Sequence, residues 1–166
     1  MNGFFRVIII TLVFSGFFTV SSVAETYVAN KRSLEGLTAV QVYFDVSLKN
    51  DSLLVFRMEL IDRTVKQMKE AGLEVTGVIG FRGDASRFIT ADDHYVLAEE
   101  VDNKRKIQRL IKRFSKEGII IEQCAIAAEI LDIPIKDFLP EVEIVKNGYI
   151  SLVGYQAQGY SVVPMD

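Results

Sequence analysis

The alternation of short apolar runs with helical patterns constrains the fold of this chain more than any other feature. Five runs rich in β-branched and aromatic residues predict strands, at residues 38–46, 73–81, 119–123, 140–146 and 160–163. Strands that alternate with helices indicate a mostly parallel sheet with helices on both faces. The strands are almost continuously apolar, as burial on both sides requires. The sequence therefore predicts an α/β fold, a three-layer α/β/α sandwich around a mostly parallel five-stranded sheet.

Helical patterns fill the intervals between these runs, at residues 52–71, 104–116, 124–131 and 149–158. In the first of them, Leu54, Met58, Ile61, Val65 and Met68 recur at spacings of three and four and predict one buried stripe. Ser52 is the predicted N-cap of this helix.

A less regular segment precedes the second helical pattern. The polar start at residues 90–93 predicts the beginning of a helix, because a capping oxygen is followed three residues later by an acid. A break in the pattern is predicted at residues 102–103. The basic residues at 104–106 and 112–113 are interpreted as a solvated helix face.

Residues 1–24 have the order of a secretory signal peptide. Arg6 precedes an apolar run at residues 7–18, and the small residues at 21–24 precede Glu25. This run is shorter than the roughly 20 residues that span a bilayer, although an uncleaved N-terminal anchor is the alternative. We expect cleavage after Ala24, export to the periplasm or beyond, a single domain over residues 25–166, and no stable membrane anchor after cleavage.

Composition narrows the classes of function. A chain of 166 residues with 25% charged residues suits one globular domain, and its net charge of −3 gives no general attraction for nucleic acid. The sequence contains no G-x-G-x-x-G, P-loop, H-E-x-x-H or G-x-S-x-G motif, so nucleotide binding, zinc proteolysis and serine hydrolysis have no local support. We expect no cofactor, no metal and no nucleic-acid partner.

Cys124 is the only cysteine and lies where an apolar strand meets a helical pattern. Exported proteins usually use cysteines in disulfides, but this thiol has no partner within the chain. It is therefore buried and inert, paired with another molecule, or functional. A helix N-terminus stabilises a thiolate, whereas the nearby Glu122 and Glu129 disfavour it. A redox cycle between two thiols of one chain is excluded.

Other candidate site residues follow neighbouring strands, whose carboxyl ends form the usual ligand crevice of such sheets. Arg82 and Arg87 flank Gly83 and Asp84. The two arginines can hold an anionic substrate, or they can form ordinary surface ion pairs.

His94 is the only histidine and has Asp92 and Asp93 beside it, but adjacent residues do not share a helix face. The sequence offers no second histidine and one cysteine for a metal site. A surface histidine at a helix start is therefore the favoured interpretation.

Several spaced residues in the C-terminal half carry a family resemblance. They are Ile107-x-x-Leu110, Gly118-x-x-Ile121-x-x-Cys124, Asp137-x-Leu139-Pro140-x-Val142-x-x-Val145 and Gln156-x-x-Gly159-Tyr160, together with the turn Phe81-Arg82-Gly83-Asp84. In this order and spacing, the chain resembles the DsrE/DsrF-like family, with Arg82 where a histidine is frequent.

The resemblance implies a small sulfur-handling protein with an α/β/α fold. Cytoplasmic members pass sulfane sulfur as a persulfide on the cysteine that matches Cys124, and many form trimers or hexamers. Cys124 is thus the predicted catalytic residue of a sulfurtransferase or persulfide carrier, with Arg82, Gly83 and Arg87 as predicted substrate contacts. A homo-oligomer and a thiol-bearing protein partner are implied as well. The alternative function is a non-enzymatic oligomeric binding or scaffold module in which Cys124 is buried and inert.

Overall fold

A computed structural model describes residues 30–166, so the predicted signal peptide lies outside the described residues. A short helix, α1 (Lys31–Leu34), belongs to a first unit that ends at Glu35. The second unit, Gly36–Asp166, contains the sheet and the other helices. Within residues 30–166, no helix is both long and apolar enough to cross a membrane.

The second unit is built on a sheet in which all described strand pairs are parallel. Its five strands are β1 (Ala39–Val46), β2 (Glu74–Phe81), β3 (Ile120–Cys124), β4 (Glu143–Val145) and β5 (Ser161–Pro164). Their order across the sheet is β4-β3-β2-β1-β5. The predicted parallel five-stranded α/β architecture is confirmed.

Helices cover the two faces of this sheet unequally. They are α2 (Asp51–Glu70), α3 (Val101–Lys116), α4 (Ala125–Ile130) and α5 (Gly148–Ala157). The steps from β1 to β4 all run in one direction, so right-handed crossovers place α2, α3 and α4 on one face. The return from β4 to β5 beside β1 places α5 on the opposite face.

The main core lies between the sheet and the face of α2, α3 and α4. Phe44, Ile79 and Ile121 of the strands pack in one cluster with Leu54 and Ile107 of the helices. In the predicted stripe of α2, four side chains are buried and Met68 is partly buried. Full burial of each large apolar side chain contributes roughly 1.5–3 kcal/mol. A smaller cluster, containing Tyr43, Val78 and Tyr160, lies on the α5 face.

Two helix starts differ from the predictions. α2 begins at Asp51 because Asn50, and not Ser52, is the N-cap and accepts a hydrogen bond from the Leu53 N–H at 2.8 Å. The helix start predicted at residues 90–93 is only a short 3₁₀ helix, Asp93–Tyr95, and its N-cap is Asp92. Thr90 is not the cap, since it is extended and its hydroxyl donates to the Arg87 carbonyl.

The predicted break at residues 102–103 is also wrong. Helix α3 runs unbroken from Val101, and Asn103 donates to Asp51 of α2 at 2.6 Å. The basic cluster is not wholly solvated either, because Lys104 is fully buried and donates to the Thr90 hydroxyl at 2.7 Å. Burial lowers the pKa of Lys104.

Candidate functional site

The connections after β3 and β4 leave the sheet in opposite directions. The chain after β3 enters α4, whose Ala128 belongs to the main core, and the chain after β4 enters α5 on the other face. Such a divergence between neighbouring parallel strands opens a crevice at their carboxyl ends, where ligands of α/β sheets bind. Cys124 is the last residue of β3 and therefore lies at this crevice.

Cys124 is covered by the first turn of α5. A Cβ atom built on Gly148 would lie 3.1 Å from the Cys124 Cβ and 3.6 Å from its Sγ, so the two residues are in close contact. Cys124 is only 5% exposed. Asn147 caps α5 by accepting a hydrogen bond from the Tyr149 N–H at 2.9 Å. The N-terminal end of α5, where backbone N–H groups lack partners within the helix, thus lies beside the sulfur.

Glu122 lies two residues before Cys124 and on the same side of β3, because side chains alternate along a strand. Its carboxylate is buried and accepts hydrogen bonds from the hydroxyls of Ser151 and Tyr155, the latter at 3.1 Å. Burial, followed by the charge of Glu122, raises the pKa of Tyr155 to about 12. The same two causes raise the pKa of Tyr43 still further. Sequence reasoning treated Glu122 only as an unfavourable charge and missed these contacts.

Gln123 points to the opposite side of β3 and fixes the backbone at the candidate site. Its side-chain amide is fully buried and donates to the Ser86 hydroxyl and to the Cys124 carbonyl, both at 2.8 Å. These contacts tie the end of β3 to the 3₁₀ helix Gly83–Ile89 that follows β2. The position of Cys124 is therefore fixed relative to the segment that follows β2.

Arg82 is held in a bidentate ion pair. Its Nε and Nη2 donate to the two carboxylate oxygens of Asp45 at 2.8 and 2.7 Å. The remaining nitrogen donates to the Tyr149 hydroxyl at 3.3 Å, and the guanidinium lies 5.0 Å from the centroid of that ring. The Asp45 hydrogen bond raises the pKa of Arg82. Arg82 thus joins the ends of β1 and β2 to the same turn of α5 that covers Cys124.

The other predicted contacts lie around a neighbouring loop. Gly83 adopts a positive φ of 57°, which favours glycine. Arg87 pairs with Asp84 at 3.2 Å and lines a cleft of about 400 Å³, which Lys49 and His94 also line. Arg87 and Cys124 are therefore not brought together by this cleft, whose lining does not include the cysteine.

His94 occupies a surface position, as predicted. Its Nδ1 lies 2.7 Å from Asp92, and its side chain is 59% exposed. A hydrogen bond from the His94 backbone N–H lowers the pKa of Asp92. Among residues 30–166, no group of three or more His, Cys, Asp or Glu side chains is placed to hold a metal ion.

The fold and the position of Cys124 place the protein in a class of α/β sandwiches. The sheet is parallel, and a cysteine ends the strand beside which the connections after β3 and β4 diverge. The family model described as "DsrE/DsrF-like family" matches residues 41–165. The chain belongs to this family, which is linked in general to sulfur relay.

A solved structure shares the fold. The protein of unknown function MTH1491 from Methanobacterium thermoautotrophicum is 14% identical, with a TM-score of 0.58. The alignment covers 75% of this chain and 98% of that one. At this identity the likeness concerns the fold alone. No curated protein sequence matches the chain significantly.

Proposed function

We propose that this protein is an exported, periplasmic sulfur carrier of the sulfurtransferase type, with Cys124 as the residue that holds sulfane sulfur. The observation that carries the proposal is the position of Cys124, the only cysteine, at the crevice of a DsrE/DsrF-like fold. The start of α5 lies beside Cys124, and helix N-termini are places where proteins bind anionic ligands.

The proposed chemistry is a thiol exchange that needs no cofactor. The Cys124 thiolate attacks the outer sulfur of thiosulfate or a polysulfide, and a new S–S bond forms at Sγ. The S–S bond of the donor breaks, and sulfite or a polysulfide shortened by one sulfur leaves with the electron pair. A thiolate of a partner protein then attacks the terminal sulfur, and Cys124 leaves as a thiolate.

Intact-mass measurement tests this proposal directly. The chain beginning at Glu25 is incubated with polysulfide or thiosulfate, and we expect an adduct with the mass of one sulfur atom. A reducing thiol should remove the adduct, and Cys124→Ser should not form it. The proposal fails if the native protein gains no sulfur, or if the serine variant gains it equally.

Export and the protein partner are tested separately. N-terminal sequencing of protein from the periplasmic fraction should begin at Glu25, and recovery of uncleaved protein from the membrane would contradict export by cleavage. A mixed disulfide with the partner should appear on a non-reducing gel of periplasmic extract. That band should disappear in the Cys124→Ser variant.

A second function, an oligomeric scaffold with an inert cysteine, is favoured by two observations. Cys124 is 5% exposed, and α5 has no charged residue although Tyr149, Ile150 and Val153 are 60%, 70% and 63% exposed. Such an apolar surface suits contact with other copies, as the trimers and hexamers of the family suggest.

Two measurements separate the scaffold from the carrier. Sedimentation of the protein and of Val153→Lys reports whether α5 lies in an interface between copies, with a smaller assembly expected for the variant. The scaffold function is supported if Cys124 of native protein reacts with thiol reagents only after unfolding and gains no sulfur. Rapid sulfur loading of the native assembly contradicts it.

A further inference from the structure

The buried carboxylate of Glu122 has no part in the thiol exchange described above. It nevertheless lies 5% exposed beneath α5, where desolvation of a charge is costly unless hydrogen bonds offset it. Both hydrogen bonds come from a single helix: Ser151 and Tyr155 are one turn apart on α5. Glu122 therefore fastens one side of α5 to β3 at two points.

Other contacts also hold α5 to the sheet, among them partly buried Leu152, which packs against the smaller cluster. Gly148 is the one buried residue of α5, and it is the residue that covers Cys124. Tyr149, in the same turn, contacts Arg82, but its side chain is largely exposed. Tyr155 adds ring contacts with Tyr43 and Tyr160, at centroid distances of 5.6 and 4.8 Å. The two hydrogen bonds to Glu122 add polar contacts with a buried carboxylate to this packing.

We propose that Glu122 is a positioning residue for Cys124: it holds α5 through Ser151 and Tyr155 so that Gly148 covers the thiol, and release of these contacts admits the sulfur donor or acceptor. The role in sulfur transfer rests on the proposed function, whereas the control of access to the thiol does not. Helix α5 then acts as the cover of the candidate site, and β3 supplies both the reactive cysteine and the group that fastens the cover.

The rate at which native Cys124 reacts with a neutral alkylating reagent, iodoacetamide, tests this role. Ser151→Ala and Tyr155→Phe each remove one contact with α5, and Glu122→Gln weakens both. Loss of a hydrogen bond to a charged acceptor should accelerate alkylation by about tenfold or more. Ser151→Thr keeps the hydroxyl and should restore the slow rate.

Tyr95→Phe is the matched control. It removes a tyrosine–carboxylate hydrogen bond of the same kind, from Tyr95 to Asp137 at 2.5 Å, in a segment that does not cover Cys124. Urea unfolding measures the free energy of unfolding of every variant. From its change we calculate how much faster Cys124 would be alkylated if global unfolding alone exposed it. The variants at positions 122, 151 and 155 should be alkylated faster than this calculated rate, and the control variant should be alkylated at the calculated rate. If every variant is alkylated at its calculated rate, the inference is overturned.

Sulfur loading, measured by intact mass on the same variants, separates this inference from the proposed function. Faster alkylation of the α5 variants, with no sulfur gained by any variant, supports the positioning role and contradicts the sulfur carrier. If the native protein gains sulfur but the substitutions at positions 122, 151 and 155 leave the alkylation rate unchanged, the sulfur carrier is supported and the positioning role is contradicted.

Discussion

Cys124 and Gly148 are in such close contact that a single methyl group on the glycine would lie 3.1 Å from the cysteine Cβ. One residue ends β3 and the other begins α5, so the contact joins the two diverging connections of the sheet. At this contact the candidate site is covered by the backbone of a glycine.

Gly148→Ala should destabilise the protein by about 1–3 kcal/mol, because the added methyl group overpacks the site against Cys124. Gly154→Ala is the control within the same helix, and no atom lies within 4 Å of the Cβ it would add. This second change should stabilise the protein by about 0.5–1 kcal/mol, since alanine favours helix over glycine. Urea unfolding measures both, and equal effects would contradict the close contact.

Gly80 is required by Tyr43. A Cβ on Gly80 would lie 1.8 Å from the Tyr43 hydroxyl oxygen and 2.4 Å from Cζ, and the tyrosine is only 2% exposed. Gly80→Ala should therefore cost about 3 kcal/mol or prevent folding. In the same strand, Gly77→Ala meets only Ile119 at 3.5 Å and should change stability by less than about 1 kcal/mol. If thermal or urea unfolding shows that Gly80→Ala and Gly77→Ala lose the same amount of stability, the placement of the Tyr43 side chain against Gly80 is contradicted.

Arg82→Met and Arg87→Met should differ in their effect on stability. The first leaves the half-buried Asp45 without its bidentate partner and should cost about 1–3 kcal/mol. The second breaks an exposed pair with Asp84 and should cost less than about 1 kcal/mol. Chemical denaturation measures both.

Sulfur loading from thiosulfate tests Arg87 as a substrate contact. If Arg87 holds an anionic donor, Arg87→Met slows loading although the protein remains stable. Unchanged loading removes this residue from the predicted site. Alkylation of Cys124 by iodoacetamide is the control, because the reaction of this neutral reagent does not depend on attraction of an anion.

Stability should fall at alkaline pH. The pKa values of Tyr95 and Tyr155 are raised to about 12, the first mainly by its hydrogen bond to Asp137 and the second mainly by burial. Since an unfolded tyrosine has a pKa of about 10, the unfolded chain loses these protons at lower pH than the folded protein. The contribution of the two tyrosines to the free energy of unfolding is therefore complete below about pH 10 and is lost between about pH 10 and pH 12.

Urea midpoints across this pH range, with ultraviolet titration of the tyrosines, measure the loss. Tyr155→Phe should make the decline shallower, because one of the shifted groups is gone. Tyrosines that all titrate near about 10 in the native protein would contradict the hydrogen bonds described for them.

Much of the fold could be predicted because its signals are local. The stripe that begins at Leu54 gave the buried face of α2, and the junction at Cys124 placed the cysteine at a strand end. The order of the strands across the sheet depends on pairing between distant segments, which no local pattern encodes. The unequal covering of the two faces by helices could not be predicted for the same reason.

The irregular segment before α3 shows another limit. Lys104 has the spacing of a solvated helix face, yet it is buried because Thr90 and the Asp92 carbonyl accept its hydrogen bonds. The segment that supplies these acceptors has no periodicity. Glu122 is similar, since its donors are 29 and 33 residues further along the chain. Glu122 and Cys124 are two residues apart, so in a strand their side chains lie on the same side. This spacing is the only sequence signal that links the two residues.

The pairing of β5 with β1 also has a consequence for biosynthesis. As the polypeptide emerges from the ribosome, the strands up to β4 and the helices of the main core are made before α5 and β5. A nascent sheet of this kind has one finished face and one bare face, with Cys124 at the edge of the bare one. The thiol is thus open to solvent until α5 and β5 have been made and have packed, and reagents that meet the newborn chain reach the cysteine before the mature protein conceals it.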